Sequence, residues 1–330
     1  MNRYAKLFAL LIPVMLFVSA CSKDDDPVVP PAIDEADLLV KELLAGGDAG
    51  YLNTDCPAIV TAQMVKEDLD GAKKFHLIDV RAKADYDKGH VAGAVNVAIA
   101  DILTYMKTIT PASYDKIVVI CYTGQSAAWT TAVLRMSGYN TVFSMKFGMS
   151  SWHADFDKIT ASISSQFATQ FTDAVTAKAA AGTMPTINTG KTTGAEILKV
   201  RIDSLLAGGY SKCAIAASTV MQDPTQYYII NYWTLADYTS MKHIPGAIQY
   251  TPKADLKLST FLKTLPTNKT IVVYCYTGQT SANVAAILRV LGYDAKSLGL
   301  GTQALIHQQM VDAKKTAFIP TDCMNFPYVK

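Results

Sequence analysis

Lys116-Ile-Val-Val-Ile-Cys121-Tyr-Thr-Gly-Gln-Ser126-Ala127 recurs later in the chain as Thr270-Ile-Val-Val-Tyr-Cys275-Tyr-Thr-Gly-Gln-Thr280-Ser281. Working outward, Ala132–Tyr139 matches Ala286–Tyr293, and Ala84-Asp85-Tyr86 with His90 and Gly93-Ala94 matches Ala236-Asp237-Tyr238 with His243 and Gly246-Ala247. Leu43-Leu-Ala-Gly-Gly47 returns as Leu205-Leu-Ala-Gly-Gly209. Because the order is kept throughout, the chain is an internal duplication.

Each copy alternates short β-rich runs with helical spacing. Phe75–Val80, Ala94–Val97, Ile117–Ile120 and Thr141–Ser144 read as strands. Ala82–Lys88, a segment around Ile99–Lys107, and Ala127–Ser137 with Gly138 as its stop read as helices. This alternation predicts two α/β domains, each a mainly parallel sheet flanked by helices. Ligands in such sheets sit beyond the carboxyl ends of strands, which is where Cys121 and Cys275 fall.

A strand that ends at a cysteine, then a tight turn, then a helix is suited to nucleophilic sulfur chemistry. Successive N–H groups of the turn converge on the sulfur, and the helix start adds positive potential. Gly124 and Gly278 permit the backbone angles such a turn needs. The cradle stabilises a thiolate and would equally hold a persulfide anion. The candidate catalytic residues are therefore Cys121 and Cys275. The candidate substrate loops are Tyr122, Thr123, Gly124, Gln125 and Ser126 in copy one, and Tyr276, Thr277, Gly278, Gln279 and Thr280 in copy two. Ser126 and Thr280 are expected to offer a hydroxyl donor at the far edge of each loop. The bland alternative for any such cysteine is a small buried hydrophobe.

The order Ile78-Asp79-Val80-Arg81, Gly89-His90-Val91-Ala92-Gly93-Ala94 and Cys121–Ser126 resembles the rhodanese-like family. The resemblance implies that each cysteine opens a six-residue loop and accepts sulfane sulfur from a donor such as thiosulfate. It then passes the sulfur to a thiol or cyanide acceptor. No cofactor and no metal is implied. It also implies that Asp79 and Arg81 brace the loop region. Copy two has Asn231 and Trp233 at those places, so Cys121 ranks above Cys275. Related phosphatases carry Arg after a longer loop; Ala127 and Ser281 stand there instead, which argues against that activity. His90 and His243 read as turn-fixing residues rather than acid–base catalysts. A catalytically weak binding or regulatory module is the rival from another class.

The remaining sequence concerns targeting. Arg3 and Lys6 precede an apolar run from Leu7 to Val18, shorter than the ~20 residues of a spanning helix. Val18-Ser19-Ala20-Cys21 resembles the lipobox of bacterial lipoproteins, which implies acylation at Cys21, a membrane anchor and a place in the cell envelope, expected at the outer membrane. An ordinary secretory signal or an N-terminal anchor helix is the alternative. The expected layout is a leader at 1–20, an acidic, Pro-rich tether at 21–35, domain one at 36–158, and domain two at 193–330. A Ser/Thr/Ala-rich linker at 159–192 is predicted to hold a helix around Phe167–Ala180. Of 330 residues half are apolar and 18% charged, with a net charge of +2 that the leader's two cations supply. Such a balance excludes a basic nucleic-acid surface. Cys56, Cys213 and Cys323 fit no zinc spacing, and their pairing is open from sequence.

Overall fold

The structure, a computed structural model, describes residues 33–330. Cys21, the leader and most of the tether lie outside the described residues.

Copy one supplies β1 (Ile59–Val60), β2 (Phe75–Asp79), β3 (Val95–Asn96), β4 (Lys116–Ile120) and β5 (Val142–Met145). Copy two supplies β6 (Ala214–Ile215), β7 (Tyr228–Asn231), β8 (Ile248–Gln249), β9 (Ile271–Tyr274) and β10 (Ala295–Leu298). The sheet orders are β1-β5-β4-β2-β3 and β6-β10-β9-β7-β8. Every pairing between these strands is parallel. The central strands β4 and β9 carry unbroken Ile/Val runs because helices cover both faces. Each central strand ends one residue before its cysteine.

Four helices set the relation between the copies: α1 (Glu35–Leu43), α2 (Gln125–Met136), α3 (Gly194–Gly208) and α4 (Gln279–Val290). The helices that follow the two cysteine loops, α2 and α4, bury Ala128, Ala132, Ala282, Ala285 and Ala286 in one shared core with α1 and α3. Small side chains there let the two helices approach closely, since interaxial distance follows contact side-chain size. The cysteine loops are thereby brought to a common interface rather than to opposite ends of the molecule.

Two expectations are corrected. No α-helix forms over Phe167–Ala180; the segment has one 3-10 turn at Ala168–Gln170, after another upstream at Thr160–Ser162, and runs on without regular helix. Its backbone instead finds partners on copy two. Ser164 N–H donates to Gln303 O (3.1 Å), Phe167 N–H donates to Leu305 O (3.3 Å), and Thr172 exchanges bonds with His243. Phe171 is buried in the copy-two core beside Trp233 and Tyr274. Those tertiary partners outweigh the helix propensity of the alanines in Phe167–Ala180, which alone is too short a stretch to hold a helix in water.

The second concerns the carboxyl end, grouped by sequence with domain two. It crosses back to copy one: Met324 and Phe326 N–H groups donate to Ser151 O and Trp152 O, and Val329 pairs with His90. Each copy is thus strapped by the segment that follows the other.

Candidate active site

At Cys121 the loop turns through Gly124, whose φ of +81° lies in the left-handed region, where a side chain would be strained. This turn aims two N–H groups at the sulfur: Gly124 N at 3.1 Å and Ala127 N at 3.3 Å from Cys121 Sγ. The loop carbonyls face away and are held from behind. Met149 N–H donates to Cys121 O at 2.7 Å, and Ser150 donates through N–H and hydroxyl to Tyr122 O. Acceptors point out and donors point in, which favours an anionic sulfur.

Cys275 sits in the same backbone, with Gly278 at φ +82°, but its contacts differ. Ser281 N–H reaches Cys275 Sγ at 3.4 Å and the thiol reaches Ser281 Oγ at 3.6 Å. Ser281 Oγ is also within 2.8 Å of Ser297 Oγ. No matching bond from Gly278 N–H to the sulfur is present among the described residues. Neither Ser126 nor Thr280 bonds to the cysteine sulfur; both are partly exposed at the first turn of their helices. The hydroxyl at the sulfur comes from Ser281, one position further on, where copy one has Ala127.

Asp79 and Arg81 meet as expected. Arg81 Nε donates to both carboxylate oxygens at 3.0 Å, Nη2 donates to Asp79 Oδ2 at 2.6 Å, and Nη2 also donates to Gly89 O. Burial works against the guanidinium charge, but the Asp79 bonds outweigh it and hold the proton more firmly than usual. The guanidinium lies 4.9 Å from the Tyr122 ring centroid. It thus connects β2 to the loop by stacking. In copy two, Trp233 stacks on Tyr276 at the same 4.9 Å centroid distance. Asn231 Nδ2 contacts Tyr274 Oη at 2.7 Å. Tyr276 donates its hydroxyl to Asp237 Oδ2 at 2.5 Å, and Lys315 pairs with the same carboxylate. Burial opposes the Asp237 charge, yet those bonds keep its carboxyl below the ordinary range.

His90 and His243 do structural work. Their rings stack on Tyr86 and Tyr238 at 3.6 and 3.7 Å, and their backbones receive the two straps. Gln125 and Gln279 were grouped with their own loops by sequence, but both carboxamides reach across to the other copy. Gln125 Oε1 accepts from Leu300 N–H at 2.7 Å, and its Nε2 donates to Thr123 Oγ1. Gln279 Oε1 accepts from Phe147 N–H at 2.9 Å. Their identity at the same loop position was visible in the sequence; the crossing was not. The five cysteines among the described residues are all unpaired. Burial pushes the Cys56 thiol up to about 12 and raises Cys213 and Cys323.

Two parallel α/β units, each with a cysteine cradled at the end of its central strand, define a tandem thiol-loop protein. The Rhodanese-like domain family profile matches residues 61–155 and 221–306, more than half of the chain. The chain belongs to the rhodanese-like family. Thiosulfate sulfurtransferase GlpE of Shewanella oneidensis is 31% identical over 83 residues, 25% of this chain and 79% of that protein. Putative sulfur carrier protein YrkF of Bacillus subtilis is 22% identical over 118 residues, 36% of this chain; the chain spans 63% of its length. Among solved structures, a rhodanese-related protein from Thermoplasma volcanium is 22% identical, covers 29% of this chain and 89% of its own, with a TM-score of 0.26. A rhodanese-like domain from Anabaena is 27% identical, covers 28% and 70%, with a TM-score of 0.25. The profile places both copies in this family, and the names of the two curated relatives tie the family to sulfur transfer.

Proposed function

We propose that the protein is a sulfurtransferase that carries sulfane sulfur as a persulfide on Cys121, with Cys275 as a second, differently supported site. The observation that carries this reading is the pair of N–H donors on Cys121 Sγ, at 3.1 and 3.3 Å. With thiosulfate as donor, the Cys121 thiolate attacks the outer sulfur. The new S–S bond forms as the S–S bond of thiosulfate breaks, and sulfite departs with the electron pair. A thiolate or cyanide acceptor then attacks the terminal sulfur of the persulfide, and the Cys121 thiolate is the leaving group. The same two donors serve the Sγ anion both as the attacking nucleophile of the first step and as the leaving group of the second.

A non-catalytic reading, in which the domains present a binding surface, draws support from the burial of both thiols, which are 3% and 4% exposed. A thiosulfate:cyanide assay on the full protein separates the two. Thiocyanate formation with wild type, and its loss in Cys121→Ala, is expected; no turnover with thiosulfate, mercaptopyruvate or polysulfide would sink the enzyme reading. Location at the cell envelope is part of the proposal and rests on the Cys21 motif. Detergent-phase partitioning that persists in Cys21→Ser would remove it.

A further inference from the structure

The loop of copy two keeps every backbone feature of a thiol cradle, yet one of its side chains faces away from its own cysteine. Gln279 is 1% exposed, and its carboxamide spans the back of the Cys121 loop. Oε1 accepts from Phe147 N–H at 2.9 Å, while Nε2 lies 3.4 Å from both Gly124 O and Met145 O. A buried carboxamide satisfied on both ends is a rigid spacer, because moving it would strand donors and acceptors out of water. Contact is close enough that a Cβ added at Gly124 would fall 2.4 Å from Gln279 Nε2.

The residue so held is the one that serves the sulfur. Gly124 N–H is the nearer of the two donors on Cys121 Sγ. Phe147, the other end of the span, has φ +59°, and the next residue, Gly148, packs against Cys121 O. Gln279 therefore fixes two sides of the cradle at once, from outside copy one. The reverse contact is different: Gln125 reaches Leu300 N–H but turns its amide nitrogen to Thr123 of its own loop. In copy two the Gly278 carbonyl is instead approached by the hydroxyls of Ser281 and Ser297.

We infer that Gln279 is a positioning residue for the Cys121 site, so that copy two works as a built-in positioning partner of copy one. The inference rests on Cys121 being the sulfur carrier. It assigns the retained second loop a purpose whether or not Cys275 itself turns over.

The test uses the full-length protein and needs no sulfur donor in its first arm. Alkylation of Cys121 by iodoacetamide, resolved by peptide mass spectrometry, is followed across pH in wild type, Gln279→Met and Gln279→Asn. Methionine keeps the volume without hydrogen bonds; asparagine keeps the amide but withdraws it by one methylene. Both are expected to slow Cys121 alkylation at pH 7 about fivefold, as one charge-assisted bond to sulfur weakens, and to displace the profile to higher pH. A second arm measures the single-turnover mass gain of one sulfur at Cys121 with thiosulfate, expected to slow in parallel. An unchanged alkylation profile in the folded variants overturns the inference. So does failure of both variants to fold, which would assign Gln279 to stability alone. If the profile moves but wild type takes up no sulfur, the positioning role stands and the sulfurtransferase reading falls.

Discussion

The two copies hold the same loop tyrosine at the same distance by opposite means. In copy one a buried ion pair does it: Asp79 and Arg81 side chains are 0% and 1% exposed, and the guanidinium lies over Tyr122. In copy two the neutral Trp233 ring takes the guanidinium's place over Tyr276, and Asn231 bonds to Tyr274 where copy one has Ile120. Loss of the Asp/Arg pair is therefore a replacement rather than a gap. Neither brace is fully satisfied: Arg81 Nη1 in copy one, and Asn231 Oδ1 and Trp233 Nε1 in copy two, are buried without partners. What separates the sites more sharply is the sulfur itself, which receives two N–H donors in copy one but one N–H and a hydroxyl contact in copy two.

The two braces should fail differently. Arg81→Met leaves the Asp79 carboxylate buried without its counter-charge, and breaking one side of such a pair costs about 3–5 kcal/mol. Asn231→Ala removes a neutral hydrogen bond and strands the Tyr274 hydroxyl, for about 2 kcal/mol. Denaturant unfolding of the two variants side by side checks the order, with copy one losing more. Equal losses would mean that the ion pair is already relaxed by water or movement. The comparison would then have to rest on the sulfur contacts alone.

How much of this was readable in advance depends on sequence distance. Four of the five copy-one strands, the strand–loop–helix setting of each cysteine and the Asp79/Arg81 contact are local patterns, set by short apolar runs and by residues two apart; β1 and β6, two-residue edge strands, carry too little pattern to read. Phe167–Ala180 misled because its aromatic spacing serves copy two's core, not a helix face. Ser281 was passed over as the residue where a phosphatase arginine would stand, although its hydroxyl is what reaches Cys275. The straps and the Gln279 contact join residues from about seventy to more than two hundred positions apart, and no periodicity encodes such a partner. Duplication did carry one usable signal: a residue identical in both loops that has no evident role at its own cysteine is a candidate for work at the other.

The smallest expected effect concerns the thiols outside the loops. Cys56 and Cys213 precede the first strand of their respective copies, and burial raises both. For Cys56 the folded value is about 12, against about 8.5 for a thiol in an unfolded chain. The unfolded chain therefore releases its proton first. The stability associated with the neutral thiol is complete below about pH 8.5 and drains away as pH rises toward 12. By pH 9.5 the loss is about 1.4 kcal/mol. Unfolding midpoints of wild type and Cys56→Ala, taken between pH 7 and 9.5, should converge by that amount, because the variant has no thiol to ionise on unfolding. Parallel curves would show that Cys56 ionises as readily folded as unfolded, and the same experiment on Cys213→Ala would then say whether copy two alone keeps its structural thiol neutral.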